Sequence, residues 1–162
     1  MEVEEAVEAA LEFGIDLIEV TGGEPLAQSA APELLQRLCG SFSEVLLETS
    51  GAYPIENLDQ RVQVILDMKA PGSGESDRNL LSNLSCLEAG DELKIVIADR
   101  SDYEWAKALI EEHSPAVPVH FSPVHGELEP RELADWILAD RLDARLQLQQ
   151  HKYIWDPEAR GV

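Results

Sequence analysis

Apolar positions along the chain follow two spacings, one typical of amphipathic helices and one typical of short buried strands. Residues 2–13 carry apolar side chains three and four positions apart, which predicts an amphipathic helix. Further helices are predicted from near Pro32 to Gly40, around Tyr103 and around Trp136. Apolar runs bounded by turn residues predict strands at residues 15–20, 44–48, 62–69, 93–98, 117–121 and 145–149.

The alternation of strand, loop and helix predicts an α/β fold, with a mostly parallel sheet and its helices outside. The 162 residues are predicted to form a single domain, residues 1–162. Right-handed crossovers would bring the carboxyl end of every strand to one edge of the sheet, where such folds bind ligands. Because the first predicted element is a helix, we expect a further strand upstream of residue 1.

The charge balance narrows the classes of partner. Lys and Arg total 12 against 32 Asp and Glu, which gives a formal net charge of −20 at pH 7. Such a surface repels nucleic acid and anionic lipid, so neither is a predicted partner. A solubilising acidic surface is the first interpretation, and a high-salt cytoplasm is the second. No membrane span or signal peptide is indicated, which predicts a cytoplasmic protein.

Residues that could hold a metal ion are few. Cys39 and Cys86 are far apart in sequence, neither belongs to a CxxC pair, and both are predicted to be free and buried. Two thiolates cannot supply the three or four ligands of an iron–sulfur cluster. The histidines lack the spacing of zinc ligands, so no metal site is predicted from them: His113, His120, His125 and His151.

Small and polar residues gather at the predicted carboxyl ends of the strands. The strand at residues 15–20 runs into Gly22 and Gly23, whose backbone is bare because glycine has no Cβ. Carbonyl oxygens there can bind the ammonium group of a ligand, with Glu24 adding negative charge. An ordinary tight turn is the alternative interpretation. A phosphate-binding loop is disfavoured, because no Lys-Ser or Lys-Thr pair follows the glycines.

Four segments resemble one enzyme family in the correct order. Residues 21–25, Thr-Gly-Gly-Glu-Pro, resemble the segment of radical S-adenosylmethionine enzymes that binds the methionyl amino group. Residues 48–51, Glu-Thr-Ser-Gly, resemble the next strand end of that superfamily, which is commonly Glu-Thr-Asn-Gly. Residues 67–75, Asp-Met-Lys-Ala-Pro-Gly-Ser-Gly-Glu, and the Gln-rich, His-Lys-containing residues 147–155 are similar to segments of the 7-carboxy-7-deazaguanine synthases. The last two segments narrow the resemblance from the superfamily to this family.

The resemblance implies a partial β/α barrel of the radical S-adenosylmethionine type, with the cofactor lying across the strand ends. It implies cofactor contacts by Gly22, Gly23, Glu24, Ser50, Asp67, Met68 and Lys69. It implies substrate contacts by Thr21, Gln149, His151 and Lys152. Serine replaces the commoner asparagine at residue 50, and the polar residues of the C-terminal segment can equally be surface residues without a function. No catalytic residue is assigned.

The family reaction, as the resemblance implies it, contracts a ring. Cleavage of S-adenosylmethionine gives a 5′-deoxyadenosyl radical, which takes a hydrogen atom from 6-carboxy-5,6,7,8-tetrahydropterin. A rearrangement assisted by Mg²⁺ then expels ammonia and leaves 7-carboxy-7-deazaguanine, a precursor of queuosine. The full-length family enzyme is expected to need a [4Fe–4S] cluster and a reductant such as flavodoxin, and a homodimer is possible.

The chain departs from the family pattern at its start. The family carries a cluster-binding cysteine triplet, with further substrate and Mg²⁺ contacts, ahead of the helix that opens this sequence. We therefore expect an N-terminally truncated fragment, or a product begun at an internal methionine, which is inactive as given. The alternatives are a cluster-free binding or regulatory protein and an unrelated phosphate-binding α/β module. We also expect the isolated chain to aggregate or partly unfold, because the absent strand would leave a sheet edge open.

Overall fold

The computed structural model describes residues 2–159, which form one sheet of six parallel strands. The strands are β1 (Leu17–Val20), β2 (Glu44–Thr49), β3 (Val62–Met68), β4 (Glu92–Ile97), β5 (Val119–Pro123) and β6 (Arg145–Leu146). The helices are α1 (Val3–Leu11), α2 (Ala31–Leu38), α3 (Arg100–His113), α4 (Pro130–Asp140) and α5 (His151–Ile154). Short 3-10 helices lie in the loops at Pro25–Ala27, Pro71–Ser73, Ser76–Arg78 and Leu81–Cys86. The predicted α/β fold is confirmed, and none of the described helices is long and apolar enough to cross a membrane.

The strands lie in the sheet in the order of the sequence, from β1 at one edge to β6 at the other. Because crossovers between parallel strands are right-handed, this order places all the connecting helices on one face. The sheet has the winding of a β/α barrel wall, but within residues 2–159 no pairing joins β1 to β6. We call the opposite face, which the connecting helices do not pack against, the uncovered face.

The two faces of the sheet differ in their chemistry. On the helix-covered face the side chains are apolar and buried, and Leu47, Leu66, Ile95 and Phe121 each have 0% exposure. On the uncovered face, polar or charged side chains at Glu19, Glu48, Asp67, Lys94, His120 and Ser122 lie among a few apolar ones, such as Leu46, Ile65 and Val96. A sheet buried on both faces would show almost continuous apolar runs. The alternation therefore indicates that the uncovered face contacts solvent or a ligand.

The start of helix α3 is tied to the loop after β3. Asp99 caps the helix by accepting a hydrogen bond from the backbone N of Asp102 at 2.9 Å. The Asp102 carboxylate, in a residue only 2% exposed, accepts hydrogen bonds from the backbone N of Gly72 at 2.8 Å and of Ala98 at 3.1 Å. One buried side chain thus fixes both a helix terminus and a loop at the carboxyl edge of the sheet.

All six strands lie where they were predicted, but their ends differ by one to three residues, and β5 and β6 show differences that prolines explain. The fifth strand begins at Val119 and not at residue 117, because Pro118 has no N–H to donate and pairs only through its carbonyl, which accepts from Leu93 N at 3.0 Å. The predicted last strand, residues 145–149, is wrong in length, since β6 ends at Leu146. Pro123, at the end of β5, offers no N–H to a longer neighbour.

Strand β1 forms an edge of the sheet, and apolar side chains lie exposed in it and just before it. The exposed fractions are 79% for Phe13, 64% for Ile15 and 47% for Leu17. An exposed apolar edge favours pairing with another chain. The expected tendency of the isolated chain to aggregate has this physical basis and stays a prediction.

Candidate functional site

The loop after β1 exposes bare backbone at Gly22 and Gly23. Both residues have positive φ, 93° and 58°, a conformation that side-chain-bearing residues rarely adopt. A Cβ atom at either position would meet no other atom within 4 Å. Among the described residues, the space beside this backbone is therefore open on the side where a Cβ would stand. The contact with a ligand's ammonium group stays a prediction.

Glu24 fixes this glycine loop to the end of β2. Its Oε1 accepts a hydrogen bond from the backbone N of Leu26 at 2.9 Å. Thr49 Oγ1 donates to both carboxylate oxygens, at 2.9 and 3.0 Å, and the backbone N of Ser50 donates to Oε2 at 2.8 Å. The Ser50 hydroxyl donates to the same oxygen. The Glu24 carboxylate thus forms hydrogen bonds within the protein, and these bonds hold the glycine loop in place.

The end of β3 carries an ion pair, in which Lys69 Nζ lies 2.9 Å from Asp67 Oδ2. Asn79 holds the backbone of Lys69, because its Oδ1 accepts from Lys69 N at 3.1 Å and its Nδ2 donates to Lys69 O at 2.8 Å. Met68, between the paired residues, has 0% exposure and packs in the core. Any contact between Met68 and a ligand would therefore be made by its backbone atoms.

A cavity of about 210 Å³ lies where the loops after β1, β2 and β3 meet. Glu24, Ser50 and Lys69 line this cavity, together with Tyr53 and Asn79. Residues from three separate segments of the predicted cofactor site are thus brought together at one edge of the sheet. Small-molecule sites usually have volumes of about 300–1,000 Å³, so this cavity accommodates only part of such a ligand.

A group of charged side chains lies beside Thr21 on the uncovered face. Thr21 Oγ1 donates to Glu48 Oε2 at 3.2 Å, and Lys94 Nζ lies 2.5 Å from Glu48 Oε1. Burial would raise the pKa of Glu48, but the hydrogen bond and the charge of Lys94 lower it below its ordinary value. Burial would lower the pKa of Lys94, but Glu48 and Asp67 raise it overall. Partial burial, together with the charge of Glu48, raises the pKa of Glu19.

Glu19, Glu48 and Lys94 were not among the predicted site residues. The available signal was the charged residue at every second position of an otherwise apolar strand, such as Glu92 and Lys94 in β4. This alternation predicts a polar face but not which charges meet on it. The contact between Lys94 and Glu48 depends on the register of three strands, which local sequence does not reveal.

Buried polar atoms without a partner also lie on the uncovered face. Within residues 2–159 they are Asp67 Oδ1, His120 Nε2 and Ser122 Oγ. His120 Nε2 is 3.5 Å from Glu92 Oε2, which is longer than a good hydrogen bond. Because buried polar groups normally find a partner, their concentration here favours a polar ligand or water on this face.

The predicted substrate residues of the C-terminal segment follow β6, at Gln149, His151 and Lys152. Lys152 Nζ donates to the backbone O of Pro157. Tyr153 in α5 meets His125 edge-on, with ring centroids 5.4 Å apart, which places α5 beside the loop after β5. In the described chain, no side-chain hydrogen bond joins the three predicted residues to the loop after β1. Their role in substrate binding stays a prediction.

The cysteines do not form a cluster site. Cys39 follows the last residue of α2 and Cys86 ends the last 3-10 helix, and both are free but only partly buried, not buried as predicted. Burial raises the pKa of the Cys39 thiol. A [4Fe–4S] cluster of this type needs three thiolates, and the two cysteines of the sequence do not fit it. Among residues 2–159, no group of three or more His, Cys, Asp or Glu side chains is arranged to hold a metal ion.

The relatives of this chain decide its family, although no family model matches it. A Chlorobaculum tepidum protein named 7-carboxy-7-deazaguanine synthase is 47% identical over 167 residues, covering 100% of this chain and 76% of that protein. A Koribacter versatilis protein of the same name is 43% identical over 162 residues, covering 90% of this chain and 72% of that protein. The chain belongs to the 7-carboxy-7-deazaguanine synthase family.

Membership of the 7-carboxy-7-deazaguanine synthase family overturns the alternative of an unrelated phosphate-binding module and favours an enzyme over a cluster-free regulatory protein. The crystal structure of QueE from Escherichia coli superposes with a TM-score of 0.70 at 19% identity, covering 92% of this chain and 64% of that chain. At this identity the likeness supports the fold alone. The coverage of 64% means that this chain spans less than two thirds of the length of the QueE chain.

Proposed function

We propose that this chain forms the cofactor- and substrate-binding part of a 7-carboxy-7-deazaguanine synthase, a radical S-adenosylmethionine lyase. The reaction converts 6-carboxy-5,6,7,8-tetrahydropterin into 7-carboxy-7-deazaguanine with loss of ammonia, in the biosynthesis of queuosine. The observation that carries the proposal is the open loop at Gly22 and Gly23, which Glu24 holds beside the cavity that Ser50 and Lys69 line. Family membership supports the choice of reaction.

The residues present fit S-adenosylmethionine. Uncrowded backbone at Gly22 and Gly23 offers carbonyl oxygens to an ammonium group, and the hydroxyl of Ser50 and the ammonium of Lys69 line the neighbouring cavity. When bound, S-adenosylmethionine supplies the organic group that removes a hydrogen atom from the substrate. The part played by this chain is to bind and orient both ligands and to keep water away from them.

The substrate is proposed to lie over the uncovered face, beside Thr21. The Thr21 hydroxyl and the Glu48 carboxylate form a hydrogen-bonded pair there, and together they can meet donors and acceptors of a pterin. Gln149, His151 and Lys152 are proposed to approach the same ligand from the side of β6. The unpartnered buried atoms of β3 and β5 support a polar ligand on this face.

Within residues 2–159 we assign no ligands to the iron–sulfur cluster or to the Mg²⁺ of the reaction. The two cysteines do not fit a [4Fe–4S] cluster, so no step of the proposal passes through them. No Mg²⁺ ligand is proposed among residues 2–159. For the whole enzyme we propose a cytoplasmic location and a reductant such as flavodoxin, and the net charge of −20 argues against nucleic acid or an anionic membrane as a partner.

Binding of S-adenosylmethionine to the Gly23→Ala variant tests the proposal, with Gly14→Ala as the matched control. Gly14 precedes β1 at the amino edge of the sheet, has a φ of 65° and would likewise meet no atom within 4 Å of a Cβ. Alanine in this conformation costs about 1–2 kcal/mol at either position, so both variants lose similar stability.

Isothermal titration calorimetry then separates the two variants. We expect the wild-type chain and G14A to bind S-adenosylmethionine equally, and G23A to bind at least ~10-fold more weakly, because the added Cβ stands where the ligand approaches. Equal affinities for the two variants would contradict the assigned loop. A folded wild-type chain that binds no S-adenosylmethionine would contradict the proposed function itself.

A further inference from the structure

Lys94 reaches across the middle of the sheet. It lies in β4 on the uncovered face, where its register neighbour on β3 is Asp67. Its Nζ nevertheless lies 2.5 Å from Oε1 of Glu48 in β2, whose own register neighbour on β3 is the uncharged Ile65. The side chains of Lys94 and Glu48 are 20% and 25% exposed, so neither is a freely solvated surface group. A pair in this setting is expected to contribute more stabilising free energy than a fully exposed surface salt bridge.

The Glu48 carboxylate is held from two sides. Lys94 donates to Oε1, and Thr21 Oγ1 donates to Oε2 at 3.2 Å. A carboxylate offers about four lone-pair sites, and within the described residues these two donors account for its side-chain hydrogen bonds. Acceptor capacity therefore remains on a carboxylate whose position is already fixed.

We infer that Lys94 is a positioning residue, which holds Glu48 across β3 so that this carboxylate accepts N–H groups of the bound pterin. The inference rests on the proposed function, because it needs the pterin to lie over the uncovered face. A pterin carries amino and ring N–H groups, which are the donors that a carboxylate binds. Hydrogen bonds to an ionised acceptor are shorter and stronger than those to a neutral one.

The charges near this pair explain why Lys94 is needed. Glu19 on β1 and Asp67 on β3 add negative charge to the same face. Lys69 also lies close enough to lower the pKa of Glu48, but its ammonium is bound by Asp67 at 2.9 Å. Without Lys94, burial and neighbouring carboxylates would favour the protonated form of Glu48. A protonated Glu48 would lose acceptor capacity toward the ligand.

Carboxyl ¹³C chemical shifts of the ligand-free full chain test the positioning step, with Lys94→Met as the variant. Lys107→Met is the matched control, because Lys107 forms a similar pair with Asp140, at 3.0 Å, between helices α3 and α4. Between about pH 5 and 8, we expect the Glu48 signal to stay at its carboxylate position in the wild type and K107M and to shift in K94M. E48Q identifies the signal. A Glu48 signal that is equally constant in K94M would overturn the inference.

Affinity for 6-carboxy-5,6,7,8-tetrahydropterin, measured anaerobically by calorimetry, tests the ligand step. We expect K94M to bind ~10- to 100-fold more weakly than the wild type, which is the worth of a hydrogen bond to a charged group. K94R keeps the charge and is expected to bind within ~5-fold of the wild type. Equal binding by K94M would overturn the inference. A wild-type chain that binds no pterin would overturn the proposed function, while the Glu48 signal would still decide whether Lys94 holds this carboxylate.

Discussion

Replacement of Glu24 by glutamine changes the charge of the glycine-loop anchor with little change in its shape. In the native loop both carboxylate oxygens are acceptors, and the donors are Leu26 N, Thr49 Oγ1 and the backbone and hydroxyl of Ser50. Glutamine keeps one oxygen and presents an NH₂ group in place of the other. That NH₂ group would face donors whose hydrogen bonds the lost oxygen had accepted, and it cannot accept them. The loop after β1 would then be held to β2 from one side only.

The expected magnitude follows from the bonds that are lost. Hydrogen bonds to a charged group contribute about 1.5–3 kcal/mol each, and bonds that share one acceptor are not additive. Water can replace part of the loss, because the Glu24 contacts are only partly buried. We therefore expect E24Q to lower the free energy of unfolding by about 2 kcal/mol.

Urea denaturation followed by tryptophan fluorescence measures this change, with Glu127→Gln as the matched control. Glu127 is exposed in the loop after β5, and its substitution is expected to change the free energy of unfolding by no more than about 0.5 kcal/mol. Calorimetry with S-adenosylmethionine adds a second measurement, in which E24Q binds more weakly than E127Q because the glycine loop is released. If E24Q and E127Q gave the same unfolding free energy, Glu24 would not be the anchor described here.

Three further predictions concern the rest of the molecule. Asp102→Ala leaves the N–H groups of Gly72 and Ala98 without their buried acceptor, so it is expected to lower the free energy of unfolding by about 3 kcal/mol. A loss under about 1 kcal/mol in urea denaturation would contradict the role given to this side chain. Burial, together with a hydrogen bond to Asp140 at 3.1 Å, raises the pKa of Tyr103 from 10.0 to about 12. Because the folded chain then holds the phenol proton more tightly than the unfolded chain, this stabilisation is present below pH 10 and is lost as the pH rises toward 12. Thermal melts of Tyr103→Phe should show a smaller loss over that range, and an identical loss would refute the assignment. Added NaCl is expected to raise Tm, because salt screens the repulsion within a chain of net charge −20. A Tm that stays constant or falls as NaCl increases from about 0.05 to 0.5 M would show that this repulsion does not limit stability.

Most of the sheet could be predicted because each strand is a local apolar run that ends in turn residues. The glycine loop could be predicted for the same reason, since Gly22 and Gly23 mark a bare turn without any knowledge of their neighbours. The predicted boundaries of β5 and β6 were wrong because Pro118 and Pro123 have no backbone N–H to donate to a neighbouring strand. Their effect appears only once the strands are paired.

The role of Glu24 and the pairing of Lys94 could not be predicted from the sequence. The ligand contact of Glu24 stays a prediction, but its hydrogen bonds with Thr49 and Ser50, 25 and 26 residues away, were not foreseen. Lys94 finds Glu48 at a separation of 46 residues, across an intervening strand. Both contacts arise from the register of the sheet, which local periodicity does not encode.

The charges of the uncovered face bear on how a pterin would lie there. The carboxylates near the pair are those of Glu19, Glu48 and Asp67, and the ammonium groups are those of Lys69 and Lys94. Three negative and two positive charges leave this region with one net negative charge, which attracts N–H donors and repels the carboxylate of the substrate. Arg145 lies on the same face in β6, and within the described residues it has no ion-pair partner. We therefore expect the N–H edge of the pterin to face Glu48 and its carboxylate to point toward β6. That orientation would bring the carboxylate toward His151 and Lys152, the residues predicted to bind the substrate, which both carry nitrogen donors for such a group.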